Sequence, residues 1–222
     1  MKRGIRMETR KLAVFDFDGT MIEGDSIVAF IRMARRHGLL SLSECIGLAA
    51  RAIPYALGIT TAVKYKEKAL AFFYEMPEED RKRMCEDFVR DELLPRVYPA
   101  ALKRLRAHRE EGCLCLLVSA STDNYMPLVG KALGFDGTVC SQLDDEGRVT
   151  FNCKGENKPL GLRRYLSGHN IQPDWPNSHA YGNSLSDLPV LKKCGSGVLI
   201  DPGLKLRRAA PGMPRESWRS SL

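Results

Sequence analysis

The sequence predicts an α/β fold: a parallel sheet whose strands alternate with helices, interrupted after its first strand by an all-helical insertion. Three observations carry this. Short apolar runs at 12–15, 113–118, 179–181 and 197–200 are unbroken by charge, as strands buried on both faces are. Amphipathic helical stretches separate the later runs, the pattern of βα units. Residues 25–95 read as four consecutive helices with no strand among them, a detour no βα connection needs.

The first strand is Leu12-Ala13-Val14-Phe15, and Asp16-Phe17-Asp18-Gly19-Thr20 follows where it ends. In open α/β sheets, ligands bind beyond the carboxyl ends of strands, so two acids lie where a substrate would. Strand alternation would send residues i and i+2 to one face. Two carboxylates that close repel unless a cation lies between them or one holds a proton. A divalent metal or a general acid is therefore implied, against the plainer alternative of an Asp-Gly turn with solvated acids.

The helical insertion opens at Asp25-Ser26, which can cap a helix over 27–37 that Gly38 stops. Ser41 and Glu44 have capping-box spacing for a second helix to about residue 57, kinked or shortened by Pro54. Thr60-Thr61 opens a third helix to 74. Pro77 with Glu78, Glu79 and Asp80 opens a fourth to about 94, which Pro95 ends. The α/β pattern then resumes with a basic helix over 99–111 ended by Gly112. A strand over 113–118 leads into Ser119-Ala120-Ser121-Thr122 and a helix to 133. A hairpin over 139–151 turns at Asp144-Asp145-Glu146-Gly147. Lys158 opens a helix to about 167, and a short strand at 179–181 leads into the polar loop Gly182-Asn183-Ser184-Leu185-Ser186-Asp187. The last strand is at 197–200, and the tail from Pro211 reads as irregular.

Composition bounds the rest. A chain of 222 residues, 44% hydrophobic, holds one sizeable domain or a core with an insertion. The division expected is a core of residues 1–24 and 96–222 and a cap of 25–95. The net charge of +7 invites a nucleic-acid reading, but residues 1–11 and 203–222 each carry five basic and one acidic residue, leaving the body near −1. A nucleic-acid footprint is a basic face on a folded element, whereas chain ends are often poorly ordered. Seven scattered cysteines with no C-x-x-C pair or Cys/His ligand spacing argue against zinc and for reduced thiols. No apolar run of about 18 residues and no signal-peptide pattern is seen, so a cytoplasmic protein without stable membrane insertion is expected. Met7 is an alternative start.

The acidic pair, the Ser119 turn and the Asn183–Asp187 loop each follow an apolar strand, and parallel strands would bring them to one sheet edge with Lys158. Carboxylates can hold Mg²⁺, a hydroxyl and a helix start can hold phosphate oxygens, a lysine supplies compact positive charge, and a carboxylate can attack phosphorus. Singly each has a bland reading: Ser119 as a helix cap, Lys158 as a solvated lysine, Asp187 as a helix-start acid.

Together these residues resemble the haloacid dehalogenase superfamily of phosphohydrolases. Asp16-Phe17-Asp18-Gly19-Thr20 looks like its first motif, Val118-Ser119-Ala120-Ser121 its second, Lys158 its third, and Gly182-Asn183-Ser184-Leu185-Ser186-Asp187 its fourth. The insertion resembles the first-type cap of the HAD-IB branch that includes phosphoserine phosphatase. The resemblance implies a Rossmann-like core with a mobile helical cap and a Mg²⁺-dependent phosphomonoesterase. It makes Asp16 the nucleophile and Asp18 the general acid/base. Ser119, the adjacent Ala120 and Lys158 would bind phosphate. Asp16, the carbonyl of Asp18, and Asn183 or Asp187 would hold the metal. It implies a small phosphorylated metabolite as partner; the placement of the charge at the chain ends argues against nucleic acid, and the sequence leaves the oligomeric state open.

One position departs from the pattern: the fourth motif usually begins Gly-Asp, and here the acid is Asn183. An amide oxygen can coordinate Mg²⁺ without supplying charge. Either the enzyme works with weaker metal, Asp187 compensates, or activity is low. The alternative function is a phosphate-ligand-binding protein of this fold with impaired catalysis. A signalling receiver domain also combines these groups, but the helical insertion and the acidic pair on the first strand argue against it. For substrate, Asp25 lies near an acid of the phosphoserine enzymes, and Arg32, Arg35, Arg36 and Arg51 are candidate cap cations. The apolar second cap helix reads either as core or as a lid for a greasy phosphate.

Overall fold

The structure, a computed structural model, describes residues 7–56 and 61–219, with backbone only over 51–56. In chain order the elements are β1 (Glu8–Arg10), β2 (Leu12–Phe15), α1 (Ser26–Arg36), α2 (Leu42–Ala56), α3 (Ala62–Tyr74), α4 (Glu78–Asp87), α5 (Pro99–Glu110), β3 (Leu114–Thr122), α6 (Met126–Leu133), β4 (Gly137–Leu143), β5 (Val149–Phe151), α7 (Asn157–Gly168), β6 (Ile171–Pro173), β7 (His179–Gly182), α8 (Leu188–Leu191), β8 (Ser196–Ile200), α9 (Leu204–Ala209) and β9 (Arg215–Glu216).

Seven strands form one sheet in the order β5-β4-β3-β2-β7-β8-β9. Its pairings are parallel except that of β4 with β5, the hairpin expected around Asp144. β2 lies between β3 and β7, with Phe15 opposite both Leu117 and Tyr181. The loops after β2, β3 and β7 therefore open at the same sheet edge. Strand alternation sorts the core into two layers. Ala13, Phe15, Cys115 and Leu117 face the side packed by α5 and α6. Leu12, Val14, Leu116 and Val118 face Leu162, Leu166, Val190 and Leu191 of α7 and α8.

Helices α1–α4 fill the stretch after β2 without a strand. The Asp25 carboxylate accepts from the amides of Ile27 and Val28 and caps α1, and Gly38 turns the chain out of it at φ +72°. Ser41 and Glu44 form the reciprocal capping pair. α2 passes through Pro54 to Ala56, and its expected end at Leu57 lies outside the described residues, as does Thr60.

Four expectations need correction. The fourth insertion helix does not run evenly to 94: after Asp87 it widens into a π-helical stretch, Phe88–Leu93, then tightens into a 3₁₀ turn, Leu94–Arg96, burying Phe88, Val89 and Leu93. β3 does not stop at Val118 but runs to Thr122, so Ser119 lies inside a strand and no helix starts there. The tail is not irregular. β9 extends the sheet, Leu199 pairs with Arg215, and Trp218 is buried against Tyr181, with ring centroids 5.4 Å apart. The described part of the basic tail is thus folded, with Trp218 buried in the core. A two-stranded parallel sheet of β1 and β6 also forms where no strand was expected.

Candidate active site

Asp16 is the first residue past β2, held there by its amide bonding the Tyr181 carbonyl at 3.0 Å. Its side chain is nearly buried, and each oxygen has a partner. Oδ1 accepts from Lys158 Nζ at 2.7 Å and Oδ2 from Thr20 Oγ1 at 2.9 Å. Between them, Gly19 adopts φ +73°, and a Cβ there would collide with the Asn183 side chain, so glycine lets the loop after β2 close against the loop after β7.

Asp18 faces the start of the helical insertion. Its Oδ1 accepts from the Ser26 amide, the first residue of α1, at 2.6 Å, and its Oδ2 accepts from Ser121 Oγ. Ser26 Oγ in turn lies 2.9 Å from both Ser121 Oγ and Tyr125 OH. A carboxylate at a helix N-terminus is electrostatically favoured, and the serine pair ties it to β3.

Lys158, at the start of α7, spends all three of its hydrogens on Asp16 Oδ1, Asp187 Oδ1 at 2.6 Å and the Val118 carbonyl at 3.0 Å. The other oxygen of Asp187 accepts from the amides of Asn183 and Ser184 and from Ser184 Oγ. Asp187 thus shapes the loop after β7 and anchors Lys158.

A cavity of about 420 Å³ opens over this group, lined by Asp16, Asp18, Ala120, Ser121, Asn183 and Lys66 among others. Four of the anticipated residues (Asp16, Asp18, Ala120 and Asn183) share that wall. Lys158 bonds Asp16 from behind it, and Asp187 bonds Lys158. Ser119 is fully buried, with its Oγ accepting from the Ser121 amide at 3.0 Å. The hydroxyl that lines the cavity from this strand is Ser121.

Burial is the main force on the acids. It raises Asp16 to about 7, with Asp187 adding repulsion and Lys158 opposing it. It raises Asp18 to about 6, with Asp25 adding repulsion and the Ser121 and Ser26 bonds opposing. Lys158 is pushed down by burial but up by Asp16 and Asp187, and it ends well above its ordinary range.

Lys66 was not anticipated. It reaches from α3 to the Ala120 carbonyl, Ser141 Oγ at 2.9 Å and Asn152 Oδ1 at 2.6 Å, joining the helical insertion to β3, β4 and the loop after β5. Burial, with Lys154 adding repulsion, lowers it to about 8. Its signal was present: Lys66 lies on the stripe of Ala69, Leu70 and Phe73, all buried, at helical spacing i, i+3, i+4 and i+7. A lysine on an apolar stripe has to find partners.

The donor set around Asp16 suits a hard cation. The Asp16 carboxylate, the Asp18 main chain and the Asn183 amide are oxygen donors at one cavity, and the raised Asp16 and Asp18 are acids that a cation would relieve. Mg²⁺ is commonly held by one or two carboxylates completed by water and substrate phosphate. Asp187, saturated by four hydrogen bonds, is not placed to serve as a direct ligand in this arrangement. At the other end of the sheet, His108, Glu111 and Cys113 also cluster, within 4.8 Å, but both ring nitrogens of His108 are taken, by Glu111 and Tyr181.

Residues 13–192 match the family model of haloacid dehalogenase-like hydrolases. A histidinol-phosphatase of Neisseria meningitidis is 24% identical over 211 residues, covering 90% of this chain and 95% of the relative. The phosphoserine phosphatase SerB1 of Mycobacterium tuberculosis is 26% identical over 211 residues, covering 89% and 67%. Among solved structures, a protein of unknown function from Bordetella pertussis superposes with a TM-score of 0.85 at 24% identity, covering 93% of this chain and 98% of that one. The family model spans most of the chain, and the chain belongs to the haloacid dehalogenase-like hydrolases.

Proposed function

We propose that this hydrolase is a phosphomonoesterase acting through a phosphorylated Asp16. The observation that carries the reading is the pairing of Asp16 and Asp18 on one cavity wall, with Lys158 bonded to Asp16. Asp16 Oδ attacks phosphorus as the ester P–O bond breaks, and the Asp18 carboxyl gives its proton to the departing oxygen. Asp18 then takes a proton from water. The resulting hydroxide attacks phosphorus, the bond to Asp16 breaks, and inorganic phosphate leaves. An Asp18 lifted to about 6 can hold or release that proton near neutrality. Lys158 favours the anionic form of Asp16 and holds it in place, and Ser121 with the main chain at Ala120 borders the phosphoryl position.

Mg²⁺ held by Asp16, the Asp18 carbonyl and Asn183 would neutralise phosphoryl charge. We place residues 25–95 as the cap over a core of 1–24 and 96–222, because Asp25, Ile27, Ala62, Tyr65 and Lys66 border the cavity and would exclude water from it. The phosphatase names of the two curated relatives favour a small phosphorylated metabolite. The absence among the described residues of a helix able to cross a membrane is compatible with such a substrate.

The test is hydrolysis of p-nitrophenyl phosphate with and without Mg²⁺, beside Asp16→Asn. Metal-dependent release that is lost in the variant is expected. Release unaffected by Asp16→Asn would refute the nucleophile assignment. Activity absent in wild type but present in Asn183→Asp would favour the second reading, a phosphate-binding protein impaired at that position.

A further inference from the structure

A second and larger cavity, about 720 Å³, adjoins the first. Tyr65 borders both, and Ile27 and Val28, successive residues of α1, line one each. Its walls are apolar: Val28, Ile31, Leu48 and Ala49. Its rim is cationic: Arg32, Arg35, Arg36 and Arg96. Arg36 and Arg96 share Glu92 as partner. Arg32 and Arg35 are exposed and have no acidic partner within ion-pair distance among the described residues. They sit three apart on α1, so their side chains are neighbours.

The axis of α1 gives the spacing. The helix begins at the catalytic cavity, where the Ser26 amide bonds Asp18. Arg32 and Arg35 lie six and nine residues further on, about 9 to 14 Å along the axis at the rise of an α-helix. A ligand that follows α1 from Asp16 would meet apolar surface for that distance and then two guanidinium groups with no competing carboxylate. Guanidinium pairs favour carboxylate or phosphate oxygens.

We propose that the substrate is an elongated amphiphile with a phosphomonoester at one end, an apolar middle seated between α1 and α2, and a second anionic group held by Arg32 and Arg35. The choice of reacting end rests on the phosphatase reading, but the binding mode does not.

Calorimetric titration separates the two. Asp16→Asn, with metal-free wild type as a second form should that variant fold poorly, is titrated with butyl phosphate, decyl phosphate and 10-phosphonooxydecanoate, each below its micelle concentration. Decyl phosphate should bind at least about tenfold tighter than butyl phosphate from apolar burial, and the terminal carboxylate should add about tenfold more. Arg32→Ala and Arg35→Ala should abolish the carboxylate gain and leave decyl phosphate unchanged. Ala49→Trp, which fills the cavity, should reduce decyl phosphate to the butyl level. Affinity indifferent to chain length, or a carboxylate gain that survives both arginine variants, would overturn the proposal. Turnover of p-nitrophenyl phosphate by wild type, read separately, decides the phosphatase reading. Graded binding without turnover would leave the amphiphile site standing and sink the reaction, and turnover with flat binding would do the reverse.

Discussion

Lys158 shows how much one buried side chain holds. Its ammonium group joins β2, β3 and the loop after β7 through Asp16, the Val118 carbonyl and Asp187. Removing one member of a buried ion network leaves uncompensated charge and typically costs about 3 to 5 kcal/mol. Lys158→Ala should therefore lower the urea unfolding midpoint by a loss of that size, and not only slow turnover. Asn183→Asp makes the opposite trade: a new carboxylate beside Asp16 and Asp187 adds repulsion that a cation relieves. Without metal the variant should melt below wild type, and Mg²⁺ should raise its melting temperature more than that of wild type. Equal responses to Mg²⁺ would place residue 183 outside the metal site. At this scale the sequence was most legible where residue type and position in a strand coincide, as at Asp16 and Asp18. Ser119 and Ser121 were harder, because nothing in Val-Ser-Ala-Ser marks where the strand ends.

Among the elements, α3 carries a cation into the seam between the helical insertion and the sheet. Burial with Lys154 nearby lowers Lys66 from its ordinary 10.5 to about 8. The folded protein thus binds fewer protons there than the unfolded chain between pH 8 and 10.5, and this contribution to stability is present above 10.5 and lost as pH falls through 8. Relative to Lys66→Met, wild-type stability should rise by up to about 3 kcal/mol across that window, read as the difference between urea curves at pH 8 and 10. The difference is the right quantity because buried thiols and Tyr125, raised by burial, act in the opposite direction and cancel. A flat difference would mean that the lysine is solvated. Most helix starts were readable from caps such as Asp25 and Thr61. The π-helical stretch after Asp87 was not, since it answers to packing of Phe88 and Leu93 and not to local propensity.

Across the whole molecule, the segment after β8 returns to the core and supplies it with an aromatic. Trp218 closes the layer of Phe15 and Tyr181, and Arg104 pairs with both oxygens of Glu216 to fix β9. Trp218→Ala should cost about 3 to 5 kcal/mol, as large aromatic truncations in cores do, measured by denaturant unfolding. A loss under 1 kcal/mol would show a tail merely resting on the core. The parallel sheet, the helical insertion and the convergence of three loops were legible because periodicity and strand-end chemistry repeat along the chain. The tail was not, because charge and turn residues masked one tryptophan whose burial depends on partners about 37 and about 203 residues away.

All of these scales meet at Asp16. The most direct measurement is a rapid quench of enzyme with p-nitrophenyl phosphate and Mg²⁺, followed by borohydride reduction and peptide mass spectrometry. A phosphorylated Asp16 would be converted to homoserine at position 16, and its yield should fall to background in Asp16→Asn and rise in Asp18→Asn, which cannot activate water. Turnover without homoserine at position 16, or with it at another aspartate, would contradict the account.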